Sequence, residues 1–339
     1  MNTVFATQSM LQAIGVGARR SLPAAATINW VLKDGLGRLG RLSISTKFGG
    51  SFDADLKRFR FVTSIMYCVA LAMEYSTPLA PRLFLPLASL ANIGKNVGLA
   101  TYVATQPAFH RSFARGNNLA DISAKSQARR LGQQMVFDNV GLALAVLLTH
   151  LVRGSERAQR VLPLALFPVL AAGDLASIYF EMKAIHLRSL NRERAEILAD
   201  HWLGAGASLT PAQVSRAERL LLPPRLDGSA LRLSIGALEA GVEGAEDVRA
   251  LVRHRPPYFL KVAPRAGGRA HAHLALSAEA EARDVLAAVL QTAILRRELR
   301  AAPQAPPDFV GDLEGAGWQT DHVLLSRSER ARYSVQGGA

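Results

Sequence analysis

Apolar residues gather, in the first half of the chain, into segments parted by short polar joints. Residues 61–72, 83–107, 140–152 and 161–180 form such runs. The second carries Lys95 and a few amides, the third His150, and the last a single acid, Asp174. A helix that crosses a bilayer needs about 20 mainly apolar residues, whereas runs of about 10–14 more often make core or re-entrant helices. Residues 83–107 are interrupted by Lys95 and amides, so only residues 161–180 are read as a span. Asp174 lies off-centre there, and a mid-membrane carboxylate costs about 2.5–3.5 kcal/mol. The surrounding Leu, Ile, Val and Phe residues, each worth about 0.3–0.6 kcal/mol, offset much of that.

After Glu181 the pattern changes. Residues 186–203 read as a charged amphipathic helix, with Leu187, Leu190, Ala195 and Leu198 recurring near the helical period. Thr210 and Pro211 read as the cap and first residue of another helix, which Pro223 and Pro224 end. Residues 241–247 read as a joint. Beyond Pro256 and Pro257, residues 258–262 and 270–276 read as a hairpin turning at Gly267 and Gly268. A helix over 277–300, a short one over 308–315 and a strand over 322–325 follow. The chain is therefore expected to be mainly α. An apolar helical bundle covers 1–203, a helical linker region 204–252, and a small α+β domain on an antiparallel sheet 253–330.

Composition agrees with such a mixture. Of 339 residues, 49% are hydrophobic and 20% charged, below the usual 25% for soluble domains and above that of a pure membrane bundle. The net charge of +13 admits nucleic acid, anionic lipid or an acidic partner. The arginines are spread along the chain and carry neither interleaved aromatics nor a zinc-finger, KH or RNP signature, so nucleic acid is not an expected partner. The one cysteine, Cys68, lies inside an apolar run and reads as a small buried hydrophobe.

Few residues suggest chemistry. Gly35, Gly37 and Gly40 match the spacing of a dinucleotide-binding loop, but a helical pattern precedes them and no crossover helix follows. Small residues that let helices approach closely explain them better. Lys33 and Asp34 can form an inward-facing charged pair, or end a helix in water. Residues 113–125 form the most polar joint. Asp121 and Lys125 are four apart and can pair, while Arg111, Arg115 and Lys125, with Asn117 and Asn118, could hold a small anion; the alternative is a solvated loop with a helix cap. Lys33, Asp34, Arg115, Asn117, Asn118, Asp121 and Lys125 together form the candidate anion-binding site. His271 and His273 share a strand face, with no third metal ligand near, and read as a wet sheet face. No catalytic signature or paired carboxylates stand out, no metal is expected, and no cofactor can be assigned.

Taken together these segments resemble the root UV-B sensitive family. The resemblance rests on Ala6-Thr7-Gln8-Ser9-Met10-Leu11-Gln12-Ala13-Ile14-Gly15-Val16-Gly17, on Trp30-Val31-Leu32-Lys33-Asp34-Gly35-Leu36-Gly37 and on residues 113–125. Leu190-Asn191-Arg192-Glu193-Arg194-Ala195 and Gly317-Trp318-Gln319-Thr320-Asp321 add to it. The first of these begins at Ala6, whereas members of the family usually carry sequence upstream of it, so the chain reads as N-terminally truncated. The resemblance implies a plant or algal protein linked to UV-B responses and development. It also implies membrane association, often in plastids, and pairing with a related member as a dimer; it implies no reaction. The expected function is a non-enzymatic membrane protein that binds or moves a small anionic metabolite, or acts as a scaffold. The alternative is a soluble or peripheral enzyme of cofactor metabolism.

Overall fold

The computed structural model describes residues 54–221, 231–265, 269–298 and 308–334, with positions 6, 7, 9–11, 31, 32, 34–37, 39 and 42 of the preceding segment. Lys33, Gly40 and the turn at Gly267 and Gly268 lie outside the described residues. The chain folds into two compact units. One comprises Met1–Gly49 and Leu56–Ala184, the other Gly50–Asp55 and Ile185–Ala339.

Four long helices dominate the first unit: α1 (Leu56–Ser76), α2 (Phe84–Phe113), α3 (Leu119–Leu151) and α4 (Glu156–Ala184). Two single-turn 3₁₀ helices, Thr77–Leu79 and Pro81–Leu83, join α1 to α2. That short connection makes the pair an antiparallel hairpin, and two glycines bring it close. A Cβ on Gly94 would stand 3.0 Å from the Ala70 methyl, and one on Gly98 would meet the Tyr67 ring at 3.2 Å and the Thr63 carbonyl at 3.3 Å. Gly94 and Gly98 are four apart, the small-residue spacing that brings helices together where water supplies no driving force. On the other side of α1, Tyr75 packs against Phe167 of α4 at 5.1 Å between ring centres, and Phe61 meets Tyr179 edge-on at 6.0 Å. Cys68 is buried, as its setting implied.

Among the described residues three helical stretches, Pro81–Phe113, Leu119–Leu151 and Arg157–Ala184, are long and apolar enough to cross a membrane. The run-length reading anticipated only the last. It missed the others because it discounted the run at 83–107 for its polar residues and began the run on α3 only at 140. Lys95 and two amides lie inside α2, and α3 joins the run at 140–152 to Leu131, Met135, Val136 and Phe137, all exposed. Only 11% of the apolar window of α3 is buried.

The second unit is α+β. After β1 (Ser189–Asn191) come α5 (Arg192–Ala205), α6 (Pro211–Ala217), β2 (Leu231–Ile235) and α7 (Ala245–His254). Then follow β3 (Tyr258–Arg265), β4 (Arg269–Ser277), α8 (Ala282–Glu298), α9 (Phe309–Gly315), β5 (Gln319–Leu324) and β6 (Arg332–Tyr333). Asn191 caps α5 by accepting the Arg194 N–H at 2.9 Å, and Gly206, at φ 67°, closes it in the left-handed conformation that favours glycine. Thr210 and Gln213 form the capping box that opens α6, with Pro211 at its first position.

The sheet is mixed rather than antiparallel. β4 is central, antiparallel to β3 but parallel to β2 and β6, while β1 and β5 pair separately in parallel. β2 fell within the segment read as a helical linker. Its signal was the alternation Leu231-Arg232-Leu233-Ser234-Ile235, whose three apolar members are buried. The structure also divides the chain earlier than residue 203, because Leu198 and Trp202 of α5 join the core of the second unit with Leu233, Leu274, Leu286 and Trp318. Within the 241–247 segment Gly241 is buried against β4. A Cβ on Gly241 would come within 2.5 Å of the His273 ring.

Ion pairs tie α5 to the rest of this unit. Arg296 on α8 bridges Glu196 and Asp200, each at 2.9 Å. Arg192 pairs with Glu196 at 2.9 Å and with Glu329 at 2.8 Å. Burial pushes the Glu329 carboxyl up. The hydrogen bonds from Arg192 and Ser326, with the Arg192 charge, outweigh that and hold it below its ordinary value of 4.5. A carboxylate depressed in the folded state stabilises the fold above its unfolded pKa, and the contribution disappears as pH falls through the folded value. Lowering the pH from neutral to below 4.5 should therefore destabilise the wild-type second unit more than the Glu329→Gln variant. Thermal unfolding at a series of pH values checks this, and parallel profiles for the two proteins would refute it.

Candidate functional site

Polar side chains inside an apolar helical unit are the place to look for chemistry, since each must find a partner there. α1 and α2 share such a seam. Glu74, 1% exposed, receives the Lys95 ammonium at 2.5 Å. Asn92 lies three residues before Lys95 and four before Asn96, spacings that make it a neighbour of both on the helix surface. The Asn96 amide donates to the Asn92 backbone carbonyl at 2.8 Å and to its side-chain oxygen at 3.2 Å. The Asn92 amide donates in turn to Asp34 at 3.3 Å. Gly37 lets the Asp34 segment come this near: a Cβ there would stand 2.3 Å from the Asn92 amide nitrogen. Lys95 lies 11 residues into α2 from Phe84, about 16 Å along its axis, well inside the helix. Asp174, the acid in the apolar run of α4, is exposed and within electrostatic reach of Tyr67, Cys68 and Tyr75 on α1.

The seven residues expected to form one anion site do not come together. Asp34 joins the seam through Asn92, and Lys33 lies outside the described residues. Arg115, Asn117, Asn118, Asp121 and Lys125 occupy the joint between α2 and α3, and all five are exposed. Asn92 is 21 residues before the end of α2 at Phe113, so about 32 Å of helix separates the two groups. Within the joint Asn118 accepts the Arg115 N–H at 3.0 Å, and Gly116 turns at φ 75°. Lys125 and Asp121 pair at 2.8 Å as an exposed i, i+4 pair, worth about 0.3–0.5 kcal/mol. These are the features of a solvated turn. Sequence reasoning missed Glu74, Asn92, Lys95 and Asn96. Their signal was four polar residues inside two otherwise apolar helices, three of them within one turn of α2.

A second polar cluster lies towards the far end of α2. The guanidiniums of Arg60 on α1 and Arg130 on α3 both lie over the ring of Tyr102, at 4.8 and 4.6 Å from its centre. Each cation–ring contact is worth about 0.5–2 kcal/mol. Two cations sharing one ring are at most about 9 Å apart, and at an effective dielectric of about 20 they repel by about 2 kcal/mol or more. Arg60 also donates to the Ser64 hydroxyl at 2.7 Å.

In the second unit many buried polar side chains find partners within the unit. His273, expected on a wet face, is buried and bonded to the Ala237 carbonyl at 2.8 Å and the Ser234 hydroxyl at 3.2 Å. No cluster of metal-ligating side chains occurs among the described residues.

An apolar four-helix unit holding a charged seam, followed by an α+β unit stapled by ion pairs, defines a helical protein with a polar interior and no catalytic constellation among its described residues. The family description "Vitamin B6 photo-protection and homoeostasis domain" matches residues 1–206. The root UVB sensitive 4 protein of Arabidopsis thaliana is 35% identical over 97% of this chain and 70% of its own length. The root UVB sensitive 6 protein of the same plant is 29% identical over 96% of this chain and 62% of its own. The root UVB sensitive 2 protein, named chloroplastic, is 27% identical over 95% and 75%. No solved structure matches. The chain belongs to the root UV-B sensitive family, and so to a group named for UV-B sensitivity.

Removing one partner of a buried ion pair strands the other and costs about 3–5 kcal/mol, whereas neutralising both together costs far less. Lys95→Met should therefore lower the melting temperature in detergent more than the Glu74→Gln/Lys95→Met double substitution. A double-mutant cycle on the full chain measures the coupling; additive effects would show that the pair is not a closed unit.

Proposed function

We propose that this chain is a membrane protein whose helical unit binds a small anionic metabolite at the seam formed by Glu74, Lys95, Asn92, Asn96 and Asp34. The observation that carries the reading is the Glu74–Lys95 pair, Glu74 buried and Lys95 half-buried, between helices of which α2 is long and apolar enough to span a bilayer. Ionisable residues in such positions are rare, are paired, and mark binding sites and pathways for substrates or ions. In the second unit, by contrast, the buried charges serve to hold elements together.

The ligand class follows from the family description, which names vitamin B6. B6 vitamers are small pyridines bearing a phenolic oxygen and, in their phosphorylated forms, a phosphate. The seam offers an ammonium and amide donors to the anionic groups and carboxylates to the ring nitrogen. Its role in UV-B responses would then run through handling of a light-sensitive vitamer. One relative's name places that protein in the chloroplast, and a plastid membrane is the proposed location here.

Two measurements test this. Alkaline carbonate should leave the expressed protein in the membrane pellet and detergent should release it. Release by carbonate would remove the membrane claim and favour the competing reading of a peripheral enzyme in cofactor metabolism. Separately, the detergent-purified chain should bind pyridoxal 5′-phosphate saturably in equilibrium dialysis. Lys95→Met and Asn92→Leu should each weaken binding by roughly tenfold, the loss of about 1.4 kcal/mol expected for one good polar contact. Equal binding by all three proteins would sink the seam as the site.

A further inference from the structure

Where the apolar runs of α1, α3 and α4 meet polar sequence, the structure brings their boundaries together. The run on α1 begins after Arg60, that on α3 begins after Arg130, and that on α4 ends at Phe180, before Glu181 and Lys183. Arg60 and Arg130 meet over the Tyr102 ring of α2. Phe61, beside Arg60, packs on Tyr179, over whose ring the Lys183 ammonium lies at 5.9 Å. Three helices thus leave their apolar runs near Tyr102 of α2, where apolar surface gives way to cations and aromatic rings, the arrangement found where a bilayer meets water.

At that level the charge is unbalanced. Glu181 is within electrostatic reach of Arg60, but among the described residues no carboxylate pairs with Arg130, which is exposed. The two guanidiniums come from helices that diverge elsewhere in sequence, yet they are held over one ring, where they repel. Ser64 fixes one of them by its hydroxyl. A preorganised pair of planar, multi-donor cations with surplus positive charge is the chemistry that recognises phosphate. An anion bridging both guanidiniums beside the ring would turn the repulsion into attraction, whereas a purely structural clamp between α2 and α3 needs only one of the two.

We infer that Arg60 and Arg130, held over Tyr102, form a binding site for a phosphate group at one end of the helical unit. The phosphate of an anionic phospholipid lies at this level if the chain spans a bilayer, so the lipid source rests on the membrane reading above; a soluble phosphate carries the same chemistry without it. The site is distinct from the seam: Tyr102 lies seven residues beyond Lys95, about 10 Å along α2.

The test is the melting temperature of the full-length protein under two comparisons. One sets inorganic phosphate against sodium chloride at equal ionic strength, which removes the general screening effect. The other sets nanodiscs of phosphatidylcholine containing phosphatidylglycerol against phosphatidylcholine alone. Wild type should be stabilised in at least one comparison. Arg130→Gln should lose at least about half of that increment relative to its own baseline, and Arg130→Lys, which keeps the charge but not the planar fork, should fall between. Lys125→Gln, at the exposed joint, should keep the full increment. Stabilisation by phosphatidylglycerol alone assigns the site to lipid, and stabilisation by inorganic phosphate assigns it to a soluble phosphate. No increment in wild type, or an equal increment in Arg130→Gln, overturns the proposal. Because each variant is scored against its own baseline, loss of a merely structural clamp lowers the melting temperature without changing the increment. Carbonate extraction reads the membrane claim separately, so a phosphate response in a carbonate-released protein keeps the site and discards the bilayer.

Discussion

The first unit depends on how near α1 and α2 can come. Gly94 and Gly98 remove the side chains that would hold them apart, and Ala70, Tyr67 and the Thr63 carbonyl fill the space. Where water is excluded, such packing and buried polar contacts replace the hydrophobic effect as the force between helices. Once the two helices are in register, Lys95 reaches Glu74 near one end of α1 and Arg60 meets Tyr102 near the other. The α1 face away from α2 then receives α4 through Tyr75 with Phe167 and Phe61 with Tyr179. A larger residue at position 98 would therefore disturb the seam and the cation pair together.

The two units put arginine to different uses. In the second unit every arginine of the α5–α8 network meets a carboxylate or carbonyl. Arg194 is buried against Glu218 and the Ser189 carbonyl, and Arg297 donates to the Leu203 and Asp200 carbonyls. The residues that made Asn191-Arg192-Glu193-Arg194-Ala195 distinctive in the sequence are helix cap, network and core. The Gly317-Trp318-Gln319-Thr320 stretch is structural as well. Gly317 takes φ 93°, the Trp318 indole donates to the Leu209 carbonyl, and Thr320 bonds Glu314. These distinctive residues cap helices, form ion pairs and pack the core of the second unit.

This also explains what could be read from sequence. Helix-rich and α+β halves were legible because periodicity and composition are local. The Thr210 cap was legible because its partner Gln213 is three residues away. The parallel pairing of β2 with β4 was not, since it joins Leu231 to Ala270 across the chain. The candidate site failed for a similar reason. Polar density along the chain selected the joint at 113–125, which is crowded with charge because water solvates it. The residues that sit in apolar surroundings are sparse, single interruptions of long apolar helices, and only the fold places Glu74, Asn92 and Lys95 together.

Sparse charges in an apolar setting therefore carry more information than dense ones at its edge, and their balance separates their uses. Glu74 and Lys95 neutralise each other, so a ligand entering the seam must substitute for one partner while it displaces the other. As a binding site the seam would favour zwitterionic or compact anionic molecules over simple ions, which could satisfy only half of it. Arg60 and Arg130 stand over one ring with only Glu181 in electrostatic reach of Arg60 and no carboxylate paired with Arg130 among the described residues, so a phosphate that reached them would meet surplus positive charge. The first arrangement suits selection and the second suits anchoring. A helical unit that held a soluble vitamer at the seam while its basic end gripped a headgroup would need both, at levels of α2 about 10 Å apart.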